Sequence, residues 1–197
     1  MLRDPPVKTA ATFEEYVTLE SVSDVRHEFI DGNLFVMAGG SQEHNMVAGA
    51  LAAVLRPAAR ARGCRIFASD MIVRVPSGKG FYPDVLVTCN LAMNERHVIH
   101  APSVIVEVLS DSTQIFDRVE KWEQYQQIPS LQQYVLLSQH EIAAEVYSRQ
   151  DAKWFYERLT GDAILHFSSL EFGVSLRELY EDIPELGQET PPAGSSG

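Results

Sequence analysis

Tyr82-Pro83-Asp84-Val85-Leu86-Val87 and Val104-Ile105-Val106-Glu107-Val108-Leu109 are the two stretches whose reading decides the fold. Both are short, rich in β-branched residues and bounded by turn signals, so each predicts a buried strand. Each also carries one carboxylate. A proline is tolerated at the start of a strand, which places Asp84 near the entry of the first. Glu107 is central in the second. A lone ionised carboxylate inside a sheet costs several kcal/mol of desolvation, on the order given for buried charges. If the strands are neighbours, both acids can share one face and a divalent cation can offset that cost.

Outward from this pair, Asp111-Ser112-Thr113 reads as the cap of a helix running to about Gln127 and stopped by Pro129. On it Asp117, Lys121 and Tyr125 recur at four-residue spacing and share one side. Alone, Asp117 and Lys121 would be an ordinary surface pair. Beside two strand acids, the lysine is a candidate to orient a nucleophile or to stabilise charge on phosphoryl oxygens. Magnesium takes oxygen ligands and keeps several waters. Asp84, Glu107 and the backbone carbonyl of Val108 would supply part of such a shell.

Upstream, Thr12-Phe13-Glu14-Glu15 has the form of a capping box opening a short helix. His27 to Met37 reads as two strands around an Asp31-Gly32 turn. Ser41 can cap a long helix to about Ala61, with Pro57 expected to kink or end it early. Cys64 to Val75 reads as one strand. Downstream, residues 133–138, 143–149, 154–159 and 164–167 read as strands in hairpin succession, and Ser175-Leu176-Arg177-Glu178 as a second capping box. Residues 1–11 read as an arm and 184–197 as a disordered acidic tail, leaving a domain over 12–183. The element order predicts an α/β (α+β) mixed sheet flanked by helices.

The chain has 197 residues with 45% hydrophobic and 22% charged content, which suits one globular domain. Its net charge of −11 is unusual for a nucleic-acid partner. Setting aside the five acids after Arg177 leaves 22 acids against 16 bases, still a net −6. Any DNA contact must therefore rest on a local basic surface and on bound metal. Cys64 and Cys89 indicate neither a disulfide framework nor a zinc set. No signal peptide and no membrane-length apolar run is read, so the expectation is a cytoplasmic chain with no membrane partner.

Pro83-Asp84, then Glu107-Val108-Leu109, then Lys121 resemble the PD-(D/E)XK nuclease superfamily with its restriction-endonuclease-like fold. The similarity is closer to its Uma-type branch. It includes His27-Glu28-Phe29-Ile30-Asp31-Gly32, His44 before an apolar helix, and Ser110 after Glu107-Val108-Leu109, and runs from about Thr12 to Tyr180. The resemblance implies magnesium- or manganese-dependent cleavage of DNA. The superfamily pattern has a lysine two residues after the acid, where this chain has Leu109. In the branch the lysine is displaced to the helix, so Lys121 is the candidate substitute.

Glu28 matches an early acid that the superfamily often adds to the metal shell; the alternative is a solvent-facing hairpin residue. His44 is read first as a packing or capping residue and second as a supporting member of the site, with Asp117 and Tyr125. Arg56, Arg60, Arg62 and Arg65 form the densest basic cluster and are candidate DNA contacts. Trp122 and Trp154 read as core or interface. Cutting both strands would call for two copies, so a homodimer is among the expectations. The rival reading is a non-catalytic binding or assembly module that keeps the nuclease fold.

Overall fold

The computed structural model describes residues 5–37, 39–183 and 186. The acidic-tail segment lies outside the described residues except for Leu186. Among the described residues two six-stranded sheets carry the fold, with a separate hairpin of Ile164–Phe167 and Phe172–Ser175. One sheet runs in the order Lys8–Thr9, Asn33–Val36, His27–Ile30, Gly80–Phe81, Ile72–Arg74, Val98–Ile99. The other runs in the order Lys153–Thr160, Ala143–Gln150, Gln133–Ser138, Val104–Leu109, Val85–Thr88, Arg65–Ala68. The mixed α+β class is as expected from the element order.

The two acid-bearing strands are neighbours. Val85–Thr88 pairs antiparallel with Val104–Leu109, Val85 facing Val106 and Leu86 facing Ile105. Val104–Leu109 then pairs parallel with Gln133–Ser138. A parallel pair needs a crossover, and the helical segment from Gln114 to Tyr125 supplies it. One face of the sheet packs Val85, Val87, Val104, Val106 and Val108 against Val47, Leu51 and Leu55 of the Gln42–Ala61 helix. The other face packs Leu86, Ile105, Tyr134 and Leu136 with Tyr125 and Ile128 from the crossover. Both faces are therefore covered, which is why these strands read as nearly unbroken apolar runs.

Several local expectations are corrected. Cys64 to Val75 is two strands, because Ser69 and Asp70 both adopt left-handed backbone at φ 54° and 59°. That kink sends Arg65–Ala68 to one sheet and Ile72–Arg74 to the other. The long helix continues through Pro57 to Ala61. Pro57 and Ala53 both face solvent, so the carbonyl that loses its partner can bond water. Within the expected arm, Lys8–Thr9 adds a strand beside Asn33–Val36. Ile164–Phe167 leaves the hairpin succession to pair with Phe172–Ser175. Ser175 makes no side-chain cap to the Leu176–Leu179 helix.

Cys64 and Cys89 are joined in a disulfide that closes a 25-residue separation. They extend the Arg65↔Thr88 pairing by one cross-strand step, which no spacing rule in the sequence signals. The hairpin at Asp31-Gly32 is as expected, with φ 49° and 82° at its two central residues, the conformation that favours this dipeptide. Among the described residues no helix is long and apolar enough to cross a membrane.

Candidate active site

Asp84 and Glu107 meet on one face of the sheet. Continuing the antiparallel register beyond Val85↔Val106 sets Asp84 opposite Glu107. Leu86 and Ile105, two residues away on each strand, lie in the core on that same face. The Asp84 N–H points to Glu107 Oε2 at 3.4 Å, and Asp84 Oδ2 accepts the Val108 N–H at 2.7 Å. Asp84 precedes its strand, so its carboxylate takes a backbone donor where ladder pairing has stopped. Val108 thus meets Asp84 through its N–H, and also lines the adjoining cavity of about 360 Å³.

Lys121 reaches this face from the crossover. The segment is α-helical over Gln114–Phe116, a π-helical turn over Asp117–Lys121, and α-helical again over Trp122–Tyr125. Single π turns inside helices are frequent at functional sites. The start is capped by Ser110, whose hydroxyl accepts the Thr113 N–H at 3.2 Å, and not by Asp111-Ser112-Thr113 as expected. Lys121 Nζ lies 3.0 Å from Glu107 Oε1, 3.0 Å from Asp117 Oδ1 and 3.3 Å from Glu28 Oε1. The Tyr125 hydroxyl donates to Glu107 Oε1 at 3.1 Å. None of these four charged side chains is more than 6% exposed, so the surface-pair reading of Asp117 and Lys121 does not hold. Glu28 is likewise buried against the ammonium, not a solvent-facing hairpin residue.

Burial is the largest influence on Glu107 and pushes its carboxyl well above the usual range; Lys121 opposes this, while Asp117 and Asp84 add to it. Burial pulls Lys121 down, but Asp117, Glu107 and Glu28 outweigh it and hold the ammonium well above its ordinary value. Burial also raises the Tyr125 hydroxyl, with Glu107 next in effect. Three carboxylates therefore share one lysine, and Asp84 stands beside them as a fourth. Ionised together they carry −4 against +1, an excess that a low-dielectric site tolerates only with further cations or bound protons.

His44 is not itself the cap: Ser41 is, its Oγ accepting the His44 N–H at 3.1 Å, while the His44 ring Nε2 lies 3.1 Å from Asp84 Oδ2. Its pKa is raised: burial works against the charged form, but the hydrogen bond and charge of Asp84, with Asp117, prevail. The ring fits because position 40 is glycine. A Cβ there would stand 2.6 Å from His44 Nδ1.

Glu20 went unnoticed in the sequence. It is 5% exposed and accepts three groups: the His27 N–H at 3.1 Å, the Tyr82 hydroxyl at 2.9 Å, and the His27 ring at 2.7 Å. It thereby ties the strand bearing Glu28 to the segment bearing Asp84. No local pattern signals it, because its partner Tyr82 lies 62 residues away.

Arg56, Arg60, Arg62 and Arg65 do not line the cavity. Arg60 lies sixteen residues along the helix from His44, about 24 Å at 1.5 Å per residue. Arg62 pairs with Glu171. Trp122 stacks on Tyr147 at 4.2 Å and meets Trp154 edge-on at 4.9 Å, a packing role.

The donor set suits a hard cation on chemical grounds, since Asp84 and Glu107 offer oxygens beside a cavity and the cluster carries excess negative charge. Among the described residues no three His, Cys, Asp or Glu side chains are arranged to hold a metal ion. A bound cation would therefore take two side-chain carboxylates and complete its shell with backbone, water or ligand oxygens, as magnesium commonly does.

A family model, Uma2, described as "Putative restriction endonuclease", matches residues 13–177. Two uncharacterized proteins of Synechocystis sp. are similar: sll1609, 34% identical over 81% of this chain and 94% of its own length, and slr1290, 28% identical over 86% and 91%. The crystal structure of "a putative nuclease belonging to DUF820" from Anabaena variabilis superposes with a TM-score of 0.68 at 18% identity. It covers 87% of this chain and 98% of its own, which shows a shared fold.

Proposed function

The chain belongs to the Uma2 family, and from that premise we propose that it is a metal-dependent endonuclease hydrolysing phosphodiester bonds in DNA. The observation that carries this reading is the convergence of Asp84 and Glu107 from adjacent antiparallel strands beside a cavity. Asp84 and Glu107 would hold Mg²⁺ or Mn²⁺, with the Val108 peptide beside them. When bound, the ion supplies Lewis-acid polarisation of a phosphoryl oxygen and lowers the pKa of water. The protein's own groups do the rest. Val108 N–H and His44 fix the Asp84 carboxylate, and Lys121 and Tyr125 fix that of Glu107. Lys121 remains cationic and acts as counter-ion to three acids, so a role as general base does not suit it. His44 lines the cavity with its Nε2 held by Asp84, so it acts by orienting that carboxylate.

A plasmid-nicking assay with magnesium or manganese tests the proposal. Wild type should cleave, and Asp84→Ala and Glu107→Ala should lose at least the hundredfold typical of removing central charge-stabilising groups. Equal cleavage by all three would point to a contaminant and reject the site. A second reading, a non-catalytic binding or assembly module, is favoured by the net −11 charge and by Lys121 already sitting among the carboxylates. Calorimetric titration separates the two: no divalent binding at millimolar concentration supports the module.

A further inference from the structure

The sheet that bears Asp84 and Glu107 ends in two different edges. One is Arg65–Ala68, four residues long and broken off by left-handed Ser69 and Asp70. The other is Lys153–Thr160, eight residues paired without interruption to Ala143–Gln150. It contains no proline and no bulge. Among the described residues no strand pairs with its outer side. Phe155 is 50% and Tyr156 55% exposed. An open edge of this length is a template for another strand.

Backbone parity decides which residues such a partner can bond. The hairpin closes with Gln150 opposite Lys153, and beyond its far end the Gly161 N–H donates to Ile142 O at 3.0 Å. Bonded and non-bonded pairs alternate along an antiparallel ladder. Lys153, Phe155, Glu157 and Leu159 therefore spend their backbone groups inward. Trp154, Tyr156, Arg158 and Thr160 present theirs outward. Two copies related by a dyad must bond through these four.

Few registers satisfy that condition. Trp154 opposite Thr160 gives the longest overlap but sets Glu157 against its own copy. A shift toward the end of the strand sets Arg158 against itself. Like charges directly opposite are destabilising. Tyr156 opposite its own copy places Trp154 opposite Arg158 and Phe155 opposite Glu157, with no like charges facing. It keeps three bonded pairs, about six hydrogen bonds. One step further toward the hairpin turn keeps only two pairs. Tyr156 is already held against Tyr147 at 5.1 Å between ring centroids, and Trp154 carries the Arg149 guanidinium at 4.5 Å, so the central side chains need little ordering.

We propose that two copies of this chain pair antiparallel along Lys153–Thr160, with Tyr156 at the dyad, joining the two sheets into one. The dyad of an antiparallel pairing stands perpendicular to the sheet, so both Asp84–Glu107 sites open on the same side. The strand of Glu107 is fourth from this edge. Seven strand spacings of about 4.8 Å, shortened by twist, put the two sites roughly 30 Å apart. The pairing stands whether or not the sites cleave DNA.

The test is the mass of the full chain in solution, together with cysteine crosslinking that reads the register. Wild type should sediment as a dimer of twice 22.0 kDa at micromolar concentration. Tyr156→Cys should crosslink to a dimer under mild oxidation. Phe155→Cys should not, because its two copies sit two residues out of register, beyond the ~7 Å limit between Cα atoms. Tyr156→Pro removes an outward N–H and no inward one, and should give a monomer with an unchanged far-ultraviolet spectrum. A wild-type monomer overturns the proposal, and so does a dimer that Tyr156→Cys fails to crosslink. Both readouts hold even if the proline variant does not fold.

Discussion

Replacing Lys121 with methionine removes one ammonium from among three buried carboxylates while keeping most of the side chain's volume. Glu107 and Asp117 lie 3.0 Å from it and Glu28 3.3 Å, and none of the side chains exceeds 6% exposure. Solvent screening is therefore slight. Removing one partner of a buried ion pair costs about 3–5 kcal/mol. Three acids lose their shared counter-ion here, which pushes toward the upper end; uptake of a proton by one of them pushes back. We expect a loss of about 4 kcal/mol in urea unfolding followed by circular dichroism. At ~2–4 °C per kcal/mol for a chain of this size, Tm should fall by roughly 8–16 °C. Adding Glu107→Gln to Lys121→Met removes one orphaned charge and should restore more than about 1 kcal/mol relative to additivity. If Lys121→Met lies within about 0.5 kcal/mol of wild type, or the two changes simply add, Lys121 is not the counter-ion of this cluster.

Glu107→Gln alone should leave the metal-free protein as stable as wild type or more so by about 1 kcal/mol, measured by thermal melting, because it removes one of the excess buried charges. Gly40→Ala should reduce nicking at least about tenfold while shifting urea stability by less than ~1 kcal/mol, since the new Cβ displaces an accessible ring. Glu20→Ala should cost about 2–4 kcal/mol in urea unfolding, because it strands the Tyr82 hydroxyl and the His27 N–H and ring. Cys64→Ser with Cys89→Ser should lower stability by about 3 kcal/mol, and reductant should do the same to wild type but nothing to the variant.

The fold and the pairing of Asp84 with Glu107 at the centre of the candidate site were legible where local pattern and global arrangement agree. Asp84 and Glu107 stood out because they interrupt apolar strands, and the long linker between Leu109 and Gln133 was compatible with the crossover that carries Lys121. What pattern could not carry was anything set by a third element. His44 reads as a cap because capping is local, while its contact with Asp84 depends on how a helix end docks. Glu20 acts through a tyrosine 62 residues away. The arginine cluster looked like a surface because the residues are close in sequence, yet helix length carries Arg56 and Arg60 away from the cavity. Ser69 and Asp70 divided a predicted strand because non-glycine residues enter left-handed backbone under tertiary constraint, not by preference.

The widened turn at Asp117–Lys121 holds one residue more than an α-turn would. Removing a residue between Asp117 and Lys121 would let the coil tighten to 3.6 per turn with the helical pieces on either side nearly in phase. Lys121 and Tyr125 would then keep their places on Glu107, whereas removing one residue between them, from the regular helix, would swing Tyr125 away by about 100°. Two one-codon deletions a single turn apart are thus expected to differ, the first sparing the cluster and the second breaking its tyrosine contact.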